Sequence, residues 1–196
     1  MLILLTGLIV GLAAVVPIGP ISMTVVGVAV QRGRRAGAQA AAGVVGGEVI
    51  AAGSAVVLAV LGAQLPPPLF VGVQIVAVAM LVLVGVMLII RTERLGAMAN
   101  DLERPGSVLF ALTALSPITV GSWLAILLAS PFVAQPVHLG LFVAGIIIAS
   151  GIWHPVLAMG AATIGPRLTQ PMLMRLTRLG GICMIGLAAA MALSGS

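Results

Sequence analysis

The chain has no lysine and no tyrosine, a single cysteine and two tryptophans, and only 7% of its 196 residues are charged. Each scarcity excludes something. Ordinary globular domains carry about 25% charged residues, so a soluble fold of this length would lack the ionic groups to cover its surface. One cysteine, Cys183, permits no intramolecular disulfide and no CxxC redox or zinc site. With so few aromatic rings the interfacial belt is weak, and arginine must do most of the anchoring. The nine basic residues are all arginine and give a net charge of +5. They sit in short clusters between apolar stretches rather than along one basic face, which argues against nucleic acid as a partner. The opening MLILLTGLIVGLAAVVP has no basic leader and its apolar run continues past Pro20, so a cleaved signal peptide is not expected.

What the chain does have is hydrophobic length. Apolar residues make up 61% of it, and the mean hydropathy is +1.30. Lipid is the solvent that accepts such a composition. A spanning helix needs about 20 mainly apolar residues. Six segments qualify: 2–30, 37–62, 69–90, 107–130, 137–160 and 172–193. Pro and Gly mark most of the breaks between them. The expected fold is therefore an all-α integral membrane protein of six transmembrane helices in a single transmembrane domain, 1–196.

The charges orient these spans. Arg32, Arg34 and Arg35 fall in the first connection and Arg91, Arg94 and Arg104 in the third. Arg167 falls in the fifth, with Arg175 and Arg178 just inside the last span, while the second and fourth connections carry no charge. Every arginine thus lies on one side, which the positive-inside rule makes cytoplasmic, leaving both termini outside. Pairs at GxxxG spacing, Gly7/Gly11 and Gly43/Gly47, lie within spans and suit close helix contact; Gly33/Gly37 falls in a connection. Glycine faces are compatible with a homodimer.

The two halves resemble each other. Gly19-Pro20-Ile21-Ser22 matches Ser116-Pro117-Ile118-Thr119 at an offset of 97, and Gly47–Gly53 matches Gly145–Gly151 at an offset of 98. A three-helix unit followed by its copy must sit upside down relative to the first, which is the inverted repeat of many secondary transporters. Residues 1–90 and 107–196 would be the two units, and 91–106 the cytoplasmic loop joining them.

The polar chemistry gathers near mid-span. Pro17 and Pro20 interrupt the first span, because proline removes a backbone donor and clashes with the preceding turn. The helix can restart with Pro20 at its first position and Gly19 before it. Ser116-Pro117 is a similar restart in the fourth span. Helix starts carry unpaired N–H groups and partial positive charge, so two of them near mid-membrane could hold a substrate carboxylate. The structural alternative is a pair of packed kinks. Glu48 is the only acid within a span, about 18 Å from the cytoplasmic end at 1.5 Å per residue. It could carry a proton, pair with a substrate ammonium, or serve as a protonated structural donor. His154, between Trp153 and Pro155, could relay protons or bond a backbone group freed by Pro155. Ser22, Thr24, Ser116, Thr119 and Trp123 are candidates to line a cavity.

Together these features resemble the LysE/RhtB family of bacterial amino-acid exporters. The likeness spans the chain and is most specific in GLIVGLAAVVPIGPISMTVVGVAVQRGRRAGAQAAAGVVGGEVIAAG, with RLTRLGGICMIGLAAAMAL similar to the family's last helix. Family members similarly show a PGP-type motif, an RGRRAG-like loop and a Gly-rich helix bearing an acid. Three positions depart from that pattern: Ile21 where Asn is usual, Glu48 where Asp is common, and Ser116 where Asn precedes the proline.

The resemblance implies a secondary active transporter of the bacterial cytoplasmic membrane. It would export an amino acid or related small metabolite by proton antiport, as one repeat rocks against the other. Its partners would be the small-molecule substrate, protons and the bilayer. No catalytic residue, cofactor or metal is expected. A cation or metal exporter of the same superfamily is the alternative, though Glu48 and His154 are few ligands for a metal. A non-transporting membrane scaffold is another. An intramembrane enzyme finds no suitable nucleophile and base: Ser150 and His154 share a helix, but no GxSG surrounds Ser150.

Overall fold

The computed structural model describes residues 1–16, 19–90, 102–167 and 170–194. Pro17, Arg91 and Arg94, and most of the expected 91–106 loop, lie outside the described residues. The described chain forms seven α-helices: α1 (Leu2–Val15), α2 (Pro20–Gly62), α3 (Pro67–Ile90), α4 (Pro105–Ala114), α5 (Pro117–Leu128), α6 (Pro136–Ile164) and α7 (Gln170–Ser194), with a 3-10 turn at Gly165–Arg167. Pro begins α2, α3, α4, α5 and α6. At the first helical position proline's missing N–H has no partner to lose and its φ is already helical, so the same residue that breaks one helix starts the next.

Three helices among the described residues are long and apolar enough to cross a membrane alone, Ile21–Gly62, Pro68–Met87 and Pro136–Ile164. The pair α4 and α5, bent by 53° at its break, makes a fourth. Large apolar side chains such as Ile9, Val57, Ile75, Ile152 and Ile182 face outward, as expected where the surrounding solvent is hydrocarbon. The protein is a multi-pass, all-helical membrane protein.

The first expected connection, QRGRRA, is not a loop. Helix α2 runs through it and breaks at one residue, Gly33, with φ 81° and ψ −179°. That backbone region is essentially reserved for glycine. It divides α2 into an N-terminal arm, 20–32, and a C-terminal arm, 34–62. Gly37, about one turn further on, lets the arms close. A Cβ there would lie 2.6 Å from the Ala29 Cβ, so the Gly33/Gly37 pair contributes the hinge and the contact beside it. The span expected at 107–130 is likewise two helices, α4 and α5, in keeping with the restart read at Ser116-Pro117.

Small residues set the packing. Helix α1 lies on α6, where a Cβ at Gly11 would fall 2.8 Å from the Ile146 Cα, and Gly145 of α6 backs onto Leu4, Gly7 and Leu8. Helix α4 lies on the C-terminal arm of α2, where a Cβ at Gly47 would fall 2.7 Å from both the Phe110 carbonyl oxygen and the Thr113 Cβ. Helix α3 lies on α7, with Gly85 against Gly181 and Ile185. Ala40, Ala41, Ala51, Ala55 and Ala59 of α2 are all fully buried. Without a hydrophobic force between helices in lipid, close backbone approach supplies the attraction.

The described arginines of the first and third connections meet at one end of the bundle. The Arg32 guanidinium donates to the Leu102 carbonyl oxygen, two residues before Arg104. Gly165, two residues before Arg167, packs on Val30 at the same end.

Candidate functional site

Both helix breaks come within about a turn of Glu48. Val15, the last residue of α1, shares a buried cluster with Ala51, Ala52 and Trp123. Thr113, at the end of α4, abuts Gly47, the residue before Glu48. The acid therefore sits at the level where α1 gives way to α2 and α4 to α5.

The two restarts differ in how they are capped. Gly19 is the N-cap of α2 with extended backbone and has no side-chain bond to give; Pro20 is the first helical residue. Ser116 caps α5, and its Oγ accepts from the Thr119 N–H at 3.2 Å. That bond uses one of the donors that the sequence offers to an anion at the start of α5. The cap of α2 makes no such use of its own donors. Pro117 occupies the first position of α5.

Glu48 is 9% exposed. Its carboxyl faces the Ser150 side chain of α6, and Oε2 has no protein partner. Ser150 Oγ lies 3.1 Å from His154 Nδ1, one turn further along α6. The same nitrogen lies 3.2 Å from the Ser150 carbonyl oxygen. Glu48 of α2 and the bonded Ser150–His154 pair of α6 thus lie together at the α2–α6 interface, with Ser150 and His154 almost wholly buried. Pro155 leaves the Gly151 carbonyl without its helical donor, yet the imidazole turns to Ser150 instead. Thr113 is fully buried and its Oγ1 also lacks a protein partner.

Of the remaining candidates, Ser22 and Thr24 are buried on the N-terminal arm of α2. The contact of Val30 with Gly165 sets the register of this arm against α6. Counting back at 1.5 Å per residue puts Ser22 within about one turn of the level of His154. Trp123 is buried beside Ala51 and Ala52 in the central cluster. Ser116 and Thr119 are half-buried at the cap of α5. In the sequence Ser150 reads only as an unsupported nucleophile. Nothing in the sequence marks its contact with Glu48, because a serine in an Ala- and Ile-rich helix is unremarkable until the facing helix is known.

The family model of the LysE type translocators matches residues 12–195. The chain belongs to this family. The match covers both helix breaks, Glu48, Ser150 and His154. This LysE type translocator is thus a membrane exporter, and its family is one of transporters rather than enzymes. Comparison with curated proteins gave no match, and comparison with solved structures gave none.

Proposed function

We propose that this translocator is a secondary active transporter that exports an amino acid or a related small metabolite across the bacterial cytoplasmic membrane in exchange for protons. One observation carries the reading. A buried acid with an unpartnered oxygen lies at the level of two interrupted helices. In a membrane, a group so costly to bury marks a transport path. The helix starts at Pro20 and Pro117 suit a substrate carboxylate, the one at Pro20 more so because no side chain caps it. Glu48 would carry the exchanged proton or pair with a substrate ammonium. Ser22, Thr119 and Trp123 would line the path.

The packing supports a 3+3 inverted repeat. The first half of span one, α1, rests on span five, and the first half of span four, α4, rests on span two. Each contact is made through glycine. Six crossings result when α2 is divided at Gly33, its N-terminal arm is joined to α1, and α7 is counted. The gathering of arginines at one end supports a cytoplasmic position for that end, with both termini outside.

Two measurements test the proposal. Cells overexpressing the protein are challenged with a panel of toxic amino acids and analogues. Protection against at least one is expected, and indifference to the whole panel would refute amino-acid export. The protective compound is then loaded into proteoliposomes under a pH gradient. Glu48→Gln is expected to abolish driven transport; parent-like rates in that variant would remove Glu48 from the coupling.

A further inference from the structure

We propose that Thr113 and Glu48 together seat a primary ammonium group, so that the exported compound is an amine held by two oxygens from facing helices. The inference deepens the exporter reading and rests on it for its place in transport; binding of a simple ammonium ion tests the site by itself.

Two observations bring these residues into one layer. Val44 of α2, Leu109 of α4 and Ala158 of α6 share a single buried apolar cluster. One turn toward mid-span on each helix, and on the same face, stand Glu48, Thr113 and His154, all three buried. The second observation is a close approach of backbones. A Cβ at Gly47 would lie 2.7 Å from the Thr113 Cβ. Consecutive Cα atoms are about 3.8 Å apart, so the Thr113 Cβ lies within about 8 Å of the Glu48 Cα. A glutamate side chain and one N–H···O bond together span that distance. The apolar cluster closes the layer on the side of the arginines, and Glu48 keeps the most exposure of the three.

Each residue presents an oxygen without a partner among the described residues, Glu48 Oε2 and Thr113 Oγ1. A hydroxyl within a helix commonly turns back to the carbonyl one turn earlier. Thr6, Ser54 and Thr163 do so, toward Leu2, Ile50 and Met159. Thr113 does not, although it alone of these is fully buried and has the greatest need of a partner. His154 does not serve the acid either. Its Nδ1 lies 3.2 Å from the Ser150 carbonyl oxygen and 3.1 Å from Ser150 Oγ, within its own helix. The arginines of α2 stand at its Gly33 break, about 20 Å along the helix from Glu48. A ligand suited to this pair donates to a carboxylate and a hydroxyl at once, as a protonated amine does. The surroundings have the fitting sign. Helix α4 ends at Ala114, its carboxyl terminus carries partial negative charge, and Pro117 has no N–H to return to it. Divalent cations take about six or more oxygen ligands, which two side-chain oxygens do not supply.

The test uses the whole protein in lipid nanodiscs with three chloride salts at equal concentration: methylammonium, tetramethylammonium, which has no N–H, and sodium. Methylammonium alone is expected to raise the midpoint of thermal unfolding, and to do so saturably. Glu48→Gln should abolish the shift. Thr113→Val keeps the shape and removes the hydroxyl. It should raise the half-saturating concentration about tenfold, as expected for one hydrogen bond to a charged group. Thr113→Ala should behave as Thr113→Val does, and stands in for it if the valine variant does not fold. Thr113→Ser keeps the hydroxyl and should stay within about twofold of the parent. No saturable shift in the parent, an equal shift with tetramethylammonium or sodium, or parent-like saturation without the Thr113 hydroxyl would overturn the proposal. In the export screen, the protective compounds are expected to carry a primary amine, and Thr113→Val should raise KM for such a compound about tenfold. Protection confined to compounds without an amine would end the ammonium site and leave the exporter reading standing. Protection against none would end the exporter reading, while the methylammonium titration still decides the site.

Discussion

At the residue scale the interior is governed by two kinds of side chain, those small enough to let helices touch and those polar enough to need a partner. Gly47 shows the first kind. Any side chain there meets the Phe110 carbonyl and Thr113 at 2.7 Å, both fixed parts of α4. Gly47→Val should therefore destabilise the protein by about 1–3 kcal/mol, the range for overpacking, and lower the temperature at which it loses monodispersity in detergent. Gly53, on the same arm with nothing within 4 Å, is the control: Gly53→Ala should stay within about 0.5 kcal/mol of the parent. Glu48 shows the second kind. It was legible in the sequence because an acid is conspicuous in an apolar stretch, whereas Ser150 was not. Its significance is a matter of which helix faces it, and no spacing within α6 encodes that.

At the scale of the element, the breaks matter more than the helices. The sequence announces them through proline, whose effect on its own turn is local and independent of the fold. Hence the restarts at Pro20 and Pro117 were readable. Gly33 was harder to read. A glycine among three arginines resembles a loop residue, and only the backbone shows a reversal made at one position between two continuous arms. Gly33→Ala places a Cβ in a region that L-residues avoid, and a cost of about 1–3 kcal/mol is expected, visible as reduced thermal stability. Ser116→Ala removes the bond to the Thr119 amide and should cost about 1 kcal/mol. It also frees that amide. If the start of α5 contacts the substrate anion, Ser116→Ala should alter apparent substrate affinity in the export assay as well as stability. A stability change alone would mean that the cap is structural.

At the scale of the whole molecule, the proposed arrangement in the membrane rests on charge, and thiol labelling can read it. On a Cys183→Ser background, Gln64→Cys and Gln135→Cys should react with a membrane-impermeant reagent added outside intact cells. Gln31→Cys, beside the Gly33 break, should react only after permeabilisation. The opposite pattern would invert the proposed orientation. All three positions are exposed, so burial does not confound the result. By itself the sequence determined that the chain is helical, membrane-embedded and interrupted by proline, with an acid in its apolar interior. Those properties arise from composition, from the length of apolar runs and from constraints within a single turn. Only the tertiary structure decided that α1 rests on α6 and α4 on α2, that Thr113 and Val15 come near the level of Glu48, and that the Ser150–His154 pair of α6 shares an interface with Glu48. Uniformly apolar helices carry no polar face to say which side is inward. In lipid that choice passes to the fit of glycine and alanine between helices, which exists only once they are side by side.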